Sequence, residues 1–561
     1  MRSDTKSHRV TAVPLVALAF LIPAALYLWL ISANAVDWLR ADQWYDVKLI
    51  EHPFSGPLGL TALWNQHAEN RIFFQNLITL GLAHVAHYNV VFEEYVSAGL
   101  LLGATTLFIV THHRRSASTT WIAYWPAAMV VLSIAQWGDS LYGFQIGWYV
   151  IMAALAVTLW FLDRPTLTWA AFIVAVTAGV IGSYSSLQGL FIWPVGLVLL
   201  LQRARPKSFV LVWTVSAAVT AAIYFYNWNP DRGVSYAIQH PFATVKSFLF
   251  AVGDVIGVQV PYASHGSQDS VFLVGFLIVG LAVWLLVKYG FIVDVSSARP
   301  VGLALIWFGL IFAAAISAGR VQGGLMAVGD SRYVTFDLLI LAGSYLVILD
   351  QPQGQGASDT GRAGLGLRIV TAAVALVVCL QIILGTVNGI FGARNYREYE
   401  LTGAIVTVHI NQAPNGLVEA QLGALFQPAA SIRALTGYVR QHRLSLFSSS
   451  TAWLSQQSLP VNRTPPTTTI FSPKNGQTLR GHVSLLASAS NTFGINSVRF
   501  EVNANGAAAR TIATGFNISF GWLGGWNTST VPNGRYTLRS IAGAPGGLSG
   551  ESAPIEVEVD N

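Results

Sequence analysis

The sequence is dominated by long apolar runs separated by short polar segments, and this pattern leaves few folds open to it. The runs lie at approximately 10–34, 90–110, 119–136, 143–162, 168–184, 189–202, 208–227, 271–288, 301–318, 335–349 and 368–390. A run of about 17–25 apolar residues crosses a bilayer as a helix, because in hydrocarbon each backbone N–H and C=O must be satisfied within the segment. Soluble domains are about a quarter charged. Here 10% of 561 residues are charged, 53% are hydrophobic and the mean hydropathy is +0.52. The expectation is a polytopic α-helical membrane protein of about eleven spans.

Charge sorts the connecting loops into two sets. A basic start (Arg2, Lys6, Arg9) precedes an apolar run from Val10 to Val36 that is too long for a signal peptide, which predicts an uncleaved first helix with its N-terminus inside. The inner loops are then 112–115, 162–165, 202–207, 287–300 and 350–368, all carrying Lys or Arg. The outer segments are 37–89, 137–142, 185–188, 228–270 and 319–334. An odd number of spans places the C-terminal part outside. Residues 71–87 and 240–260 read as amphipathic helices along the membrane surface. The net charge of +6 and pI near 9.3 follow from this topology, so nucleic acid is not the expected partner. The single cysteine, Cys379, excludes an intrachain disulfide framework or a Cys-based metal site. His112 and His113 fall in a basic inner turn and are assigned no chemistry.

The composition changes after the last run. The division read from the sequence is 1–390 for the membrane domain, 391–464 for an extracytoplasmic helical segment and linker, and 465–561 for a β-sandwich. The middle segment contains VEAQLGALFQ and SIRALTGYVRQHRL and ends in NRTPPTTT (462–469). Alternating runs such as HVSLLASA, SVRFEVNA and IEVEV follow, separated by the turn signals KNG, NANG and PNG, and predict about seven short strands. With Trp526, Thr528, Pro532, Asn533, Gly534, Tyr536 and Leu538, this region resembles bacterial immunoglobulin-like domains. The domain serves to bind glycan, to anchor to the wall or to space the rest of the chain.

The densest polar stretch is 37–76, and it is read as the floor of a site on the outer face. The other outer motifs are QWGDSLYGFQ (136–145), SYSSLQG (183–189), NPDR (229–232) and GDSRY (329–333). Ionisable residues at membrane ends are retained where they are used or paired. The arrangement resembles the GT-C superfamily of integral membrane glycosyltransferases over about residues 10–450. The first outer loop carries Leu63, Trp64, His67, Glu69, Arg71 and Ile72 in the spacing of that group's Trp-x-x-His-x-Glu-His-Arg-Ile motif. Asn70 stands where the family has its second His. Gly143–Gln145, Ser185–Pro194 and Ser331–Tyr333 match further stretches.

The resemblance implies a polyprenyl-phosphate-sugar donor, a cell-envelope glycan or glycolipid acceptor, inverting transfer, and an acidic catalytic residue in the first outer loop of a bacterial plasma-membrane protein. The chemistry needs a carboxylate to take the acceptor proton and a cation to stabilise the departing phosphate. Asp42 is the preferred base, with Asp37 as its rival; Asp46 and Glu69 are the further carboxylates. Arg71, Arg332, Arg320 and Tyr333 are candidates for the donor phosphate. His67, Glu69, Gln145 and Trp44 are candidates for acceptor contact or loop support. His67 and Glu69 with an Asp are a possible divalent-cation site, the metal being left unknown. The alternative readings are a ligase or polymerase of lipid-diphosphate-linked glycan, and a polysaccharide or lipid transporter.

Overall fold

The computed structural model describes residues 7–55, 60–116, 118–229, 233–258, 265–323, 325–350, 362–422, 428–460, 463–491, 493–504, 508–518, 521–544 and 547–561. Arg2, Lys6, residues 230–232 of the NPDR motif, most of the 350–368 linker, Asn462 and part of NANG lie outside them. The chain divides into two compact units. The first comprises residues 1–35, 58–86 and 90–397, and the second 36–57, 87–89 and 398–561.

The first unit is helical. Among the described residues six helices are long and apolar enough to cross a membrane: Val90–His113, Gly143–Leu162, Lys207–Phe225, Asp269–Gly290, Arg299–Arg320 and Leu365–Val408. Shorter apolar helices are Phe20–Asn34, Phe73–Ala86, Trp169–Ser183, Leu187–Gln202 and Val334–Leu349. All the expected runs except 119–136 coincide with a helix. That run breaks into Trp121–Tyr124, Trp125–Val131, Ile134–Gln136 and Trp137–Ser140. Two side chains capture the backbone where a helix would continue. The Ser133 hydroxyl accepts from the Ala135 N–H at 3.2 Å, and the Gln136 amide donates to the carbonyls of Val131 and Ser133, both at 2.9 Å.

Helices Arg299–Arg320 and Val334–Leu349 pack closely because glycines face each other. A Cβ at Gly302 would lie 2.7 Å from the Gly343 carbonyl oxygen, and one at Gly343 would lie 2.5 Å from that of Gly302. Phe308, Phe312, Phe336, Leu339 and Ile340 fill the surrounding core.

The loops of this unit gather at opposite helix ends. Helix Ile146–Leu162 runs into Asp163, a fully buried carboxylate that meets Arg114 and Arg115 at 3.3 Å each and Arg203 at 2.5 Å. These are residues of three of the expected inner loops. Arg203 also donates to the Asp294 carbonyl at 2.7 Å, bringing in a fourth. At the other ends, the expected outer segments 66–71, 138–145, 185–188 and 320–333 come together.

In the second unit, helix Gln43–Ser55 follows a turn in which Ala41 has φ 45°. Trp38 is buried and donates to the Thr407 hydroxyl at 2.8 Å. A Cβ at Gly403 would overlap the Trp38 indole. The helix expected to end near 390 is continuous over Arg362–Val408 and carries the division between the units, at 397–398. The helix does not stop at 390, and part of the 37–76 stretch packs with the C-terminal part of the chain.

The C-terminal strands follow the short strands β1 (Gln66–His67) and β2 (Asn70–Arg71) of the first unit. They are β3 (Thr467–Ser472), β4 (Gln477–Leu479), β5 (His482–Ser490), β6 (Ser497–Ala504), β7 (Arg510–Ile518), β8 (Gly521–Asn527), β9 (Gly534–Gly543), β10 (Ser549–Glu551) and β11 (Ile555–Val559). Their order is β3-β5-β8-β7-β6-β9-β11-β4, with β10 on β9. Pairing is antiparallel except for β4 with β11. β7 pairs with both β6 and β8, and the two halves of the sheet share one core of Leu485, Ala487 and Trp526 with Phe500, Leu538 and Val557. Among the described residues the expected seven strands become nine, because the three-residue β4 and β10 are too short to show an alternation. Residues 465–561 therefore should fold alone as a β-rich soluble domain; a random-coil circular dichroism spectrum would contradict this.

The Asp163 knot carries its own test. Asp163→Ala leaves Arg203 buried without that counter-charge, a change that costs about 3–5 kcal/mol. The expected result is a large drop in the detergent-solubilised protein's Tm, and an unchanged Tm would show the knot to be dispensable.

Candidate active site

The site in the first unit is built on a hairpin. β1 and β2 pair as Gln66 with Arg71 and His67 with Asn70, leaving Ala68 and Glu69 at the tip. Ala68 takes φ 49°, the left-handed conformation that a tight reversal requires. Arg71 fixes the base of the hairpin. Its guanidinium donates to the carbonyls of Trp64 (3.0 Å), Tyr226 (2.8 Å), Asn227 (3.2 Å) and Tyr224 (3.4 Å), and it lies 5.5 Å from the Trp64 ring centre. These main-chain contacts occupy its fork, so in this structure Arg71 clamps the base of the hairpin. Asn70 is a second tie, its Oδ1 accepting from the Ser186 hydroxyl at 2.8 Å and the Leu187 N–H at 3.1 Å.

Held in this way, Glu69 accepts from Arg320 Nη2 at 2.8 Å, while its carbonyl accepts from Trp228 Nε1 at 2.9 Å. Arg320 is the last residue of helix Arg299–Arg320. The chain then leads to Asp330, whose carboxylate accepts from Arg332 Nε at 3.0 Å and Nη2 at 2.8 Å. The Asp330 charge, with Tyr333 and Tyr142 beside it, holds the Arg332 guanidinium well above its ordinary value, so it stays charged. Tyr333 is buried and stacks on Trp148 with ring centres 6.0 Å apart. His67 lies against Phe144 at 5.1 Å, and Gln145 is buried at the start of the following helix. The site thus offers two guanidiniums, each already facing a carboxylate, beside two phenols.

Asp139 is the residue that sequence reasoning missed, although its motif was noted. It is buried, accepts from the Thr335 hydroxyl at 2.9 Å and feels Arg332 and Asp330 electrostatically. Burial pushes its carboxyl well above the usual carboxylate range, against the opposing pull of Thr335 and Arg332. Its sequence signal was the Gly-Asp-Ser run. Gly138 donates its N–H to Ser331 Oγ at 2.9 Å, at a point where a Cβ would overlap that hydroxyl.

The other candidates lie in the second unit. Asp37 accepts from Asn89 Nδ2 at 2.9 Å and from Ser445 Oγ at 3.0 Å. Asp42 is half-buried, its carbonyl accepting from the Tyr45 N–H at 2.9 Å. Asp46 is buried and bonded by the Tyr88 hydroxyl at 2.8 Å. Trp44 has no exposure, so it is core and offers no face to an acceptor. The stretch 37–76 is therefore not one floor; it is shared between two units. Among the described residues no three His, Cys, Asp or Glu side chains converge to hold a metal ion. The proposed His67–Glu69 pair gains no such third ligand.

With the geometry in hand, comparison with known proteins adds one assignment. Residues 466–539 match the family described as "Bacterial Ig domain". The C-terminal domain is a bacterial Ig-like domain. Trp526 and Tyr536 of this Ig-like domain meet edge to face at 6.2 Å, and the Tyr536 hydroxyl donates to the Pro532 carbonyl at 2.8 Å, so residues that carried the resemblance are core and corner. No curated protein matches the chain. A solved endo-β-1,4-mannanase from Thermotoga petrophila aligns over 24% of this chain and 24% of its own, at 14% identity and a TM-score of 0.15, a likeness too low to carry an argument.

Asp139 yields a pH test. A carboxyl whose folded pKa is raised above its unfolded value, about 3.9, favours the fold when protonated and costs stability as pH rises through and above that value. Asp139→Asn lacks the cost. Its Tm relative to wild type is expected to rise between about pH 4 and pH 7. A difference independent of pH would remove the argument.

Proposed function

We propose that the chain is a membrane glycosyltransferase that moves a sugar from a polyprenyl-phosphate donor to a cell-envelope glycan or glycolipid at the outer face of a bacterial plasma membrane. In this reading the N-terminus is cytoplasmic and the Ig-like domain extracytoplasmic. The observation that carries it is the Glu69–Arg320 pair, 2.8 Å apart, with Arg332, Asp330 and Tyr333 beside it at the ends of apolar helices. Guanidiniums suit a lipid phosphate, and long apolar helices suit its prenyl tail.

The transfer forms a bond between the acceptor oxygen and the anomeric carbon. The acceptor proton passes to a carboxylate, and the lipid phosphate leaves with the electrons of the broken C–O bond. One displacement inverts the anomeric centre. Arg320 and Arg332 are assigned to the developing phosphate charge, which competes with Glu69 and Asp330 for them. Asp42 is assigned the role of base and Asp37 that of rival, as the resemblance implies for an acidic residue of the first loop. No step is assigned to a divalent cation. A lipid-diphosphate donor would use the same two guanidiniums, and donor preference separates that reading from this one.

The test is transfer in membranes supplied with lipid-linked sugar. Asp42→Asn is expected to lower the rate by about a hundred- to ten-thousand-fold with donor binding retained, whereas Arg332→Ala and Arg320→Ala weaken donor binding as well. Asp37→Asn and Glu69→Gln are the comparisons. Loss confined to Asp37→Asn would move the base to Asp37, and full activity in every variant would end the glycosyltransferase reading.

A further inference from the structure

The end of the helical unit remote from the candidate site holds a second charged assembly. Arg114, Arg115, Arg164, Arg203, Arg205 and Arg299 gather there around three carboxylates, Asp163, Asp294 and Asp350. Asp163 alone takes three of the arginines, and Asp294 takes Arg299 at 3.8 Å. Asp350 spends one carboxylate oxygen on the Ala298 N–H at 2.8 Å. The positive surplus is therefore built into a folded scaffold. Arg205 donates to the carbonyls of Leu162 (3.1 Å), Pro165 (3.2 Å) and Arg164, and Arg115 to that of Val295 at 3.2 Å.

Two features separate this assembly from a mere topology signal. A charge that only sets orientation needs no architecture and reaches water on a flexible stem. Here Arg114, Arg115, Arg203, Arg205 and Arg299 are each held by a main-chain carbonyl, and Arg164 lies over the Phe161 ring at 4.4 Å. Beside them, the segment following helix His265–Leu285 exposes more than half of each of Phe291, Ile292, Val293 and Val295. Apolar side chains next to a fixed cationic cluster match the two halves of a phospholipid at a membrane boundary, acyl chain and anionic headgroup.

We infer that this cluster binds the phosphate of an anionic phospholipid headgroup in the leaflet at that end of the bundle, with the side chains of Phe291, Ile292, Val293 and Val295 among its acyl chains. The inference rests on the membrane reading above and concerns the opposite leaflet from the proposed transfer. Arg164 and Arg205 are the half-buried members outside the direct ion pairs with Asp163 and Asp294, so they are the residues to change.

The experiment is native mass spectrometry of the full-length protein extracted from membranes and exchanged into an equimolar mixture of phosphatidylglycerol and phosphatidylcholine. Wild type is expected to retain phosphatidylglycerol preferentially. The Arg164→Gln/Arg205→Gln variant should lose that preference by on the order of tenfold, since each basic residue near an anionic leaflet counts separately. Phe291→Ser, which leaves the charges alone, should weaken retention of both lipids. Equal retention of the two lipids by wild type would overturn the inference while leaving the membrane reading intact. Recovery of the protein from the soluble fraction would instead overturn the membrane reading. If inorganic phosphate stabilises the protein as much as phosphatidylglycerol, the site is a general anion site and the lipid assignment fails.

Discussion

A carboxylate with no exposure, Asp163, holds three guanidiniums at the end of helix Ile146–Leu162. Neither partner tolerates burial alone, because an uncompensated charge in a low-dielectric interior costs several kcal/mol. The loops that supply Arg114, Arg115 and Arg203 are thereby obliged to meet. Once they do, the helices leading from them are fixed at one end, and the polar segments at the other end have few places to go. Helix Arg299–Arg320 makes this concrete. It starts beside Asp350 and Asp294 and finishes with Arg320 on Glu69, and its 22 residues span about 33 Å at 1.5 Å per residue.

The candidate site uses the same economy of charge at finer scale. Arg71 gives its fork to carbonyls and so makes a rigid platform, from which Glu69 projects toward Arg320. Asp330 and Arg332 are only two residues apart and close on each other locally. The two pairs therefore differ in kind. Separating Glu69 from Arg320 would release a contact across 251 positions of sequence, whereas Asp330 and Arg332 remain neighbours whatever else moves. An anionic ligand that exchanged with Glu69 would act on the relation between the hairpin and the helix end, and one that exchanged with Asp330 would act on a single turn.

What was legible in the sequence followed from periodicity and hydropathy. Apolar runs gave helices almost throughout, because length and apolar content suffice where the backbone must satisfy itself. The exception, 119–136, failed because hydropathy does not register Ser133 and Gln136 competing for main-chain groups. Alternation gave the Ig-like strands except the two of three residues. The site was less legible, since a sequence shows that an arginine is present and not where its fork points. Arg71, expected to face a phosphate, gives its fork to carbonyls, while Trp44, expected to support a binding surface, is core. Asp139 was overlooked because burial, and not residue type, makes it unusual.

The division of the stretch 37–76 has the widest consequence. Residues 36–57 belong with residues 398–561, joined by Trp38 to Thr407 and by Asp37 to Ser445, a contact between positions 408 apart. The polar loop that follows the first helix is thus not ordered by its own sequence. Its conformation depends on helix Arg362–Val408 leaving room at Gly403 for the Trp38 indole, and on the turn at Ser445 offering a hydroxyl to Asp37. Residues 398–422 and 428–448 pack with residues 36–55, so they share in ordering that loop. Any activity assigned to Asp37 or Asp42 must therefore depend on chain that lies more than 350 residues downstream.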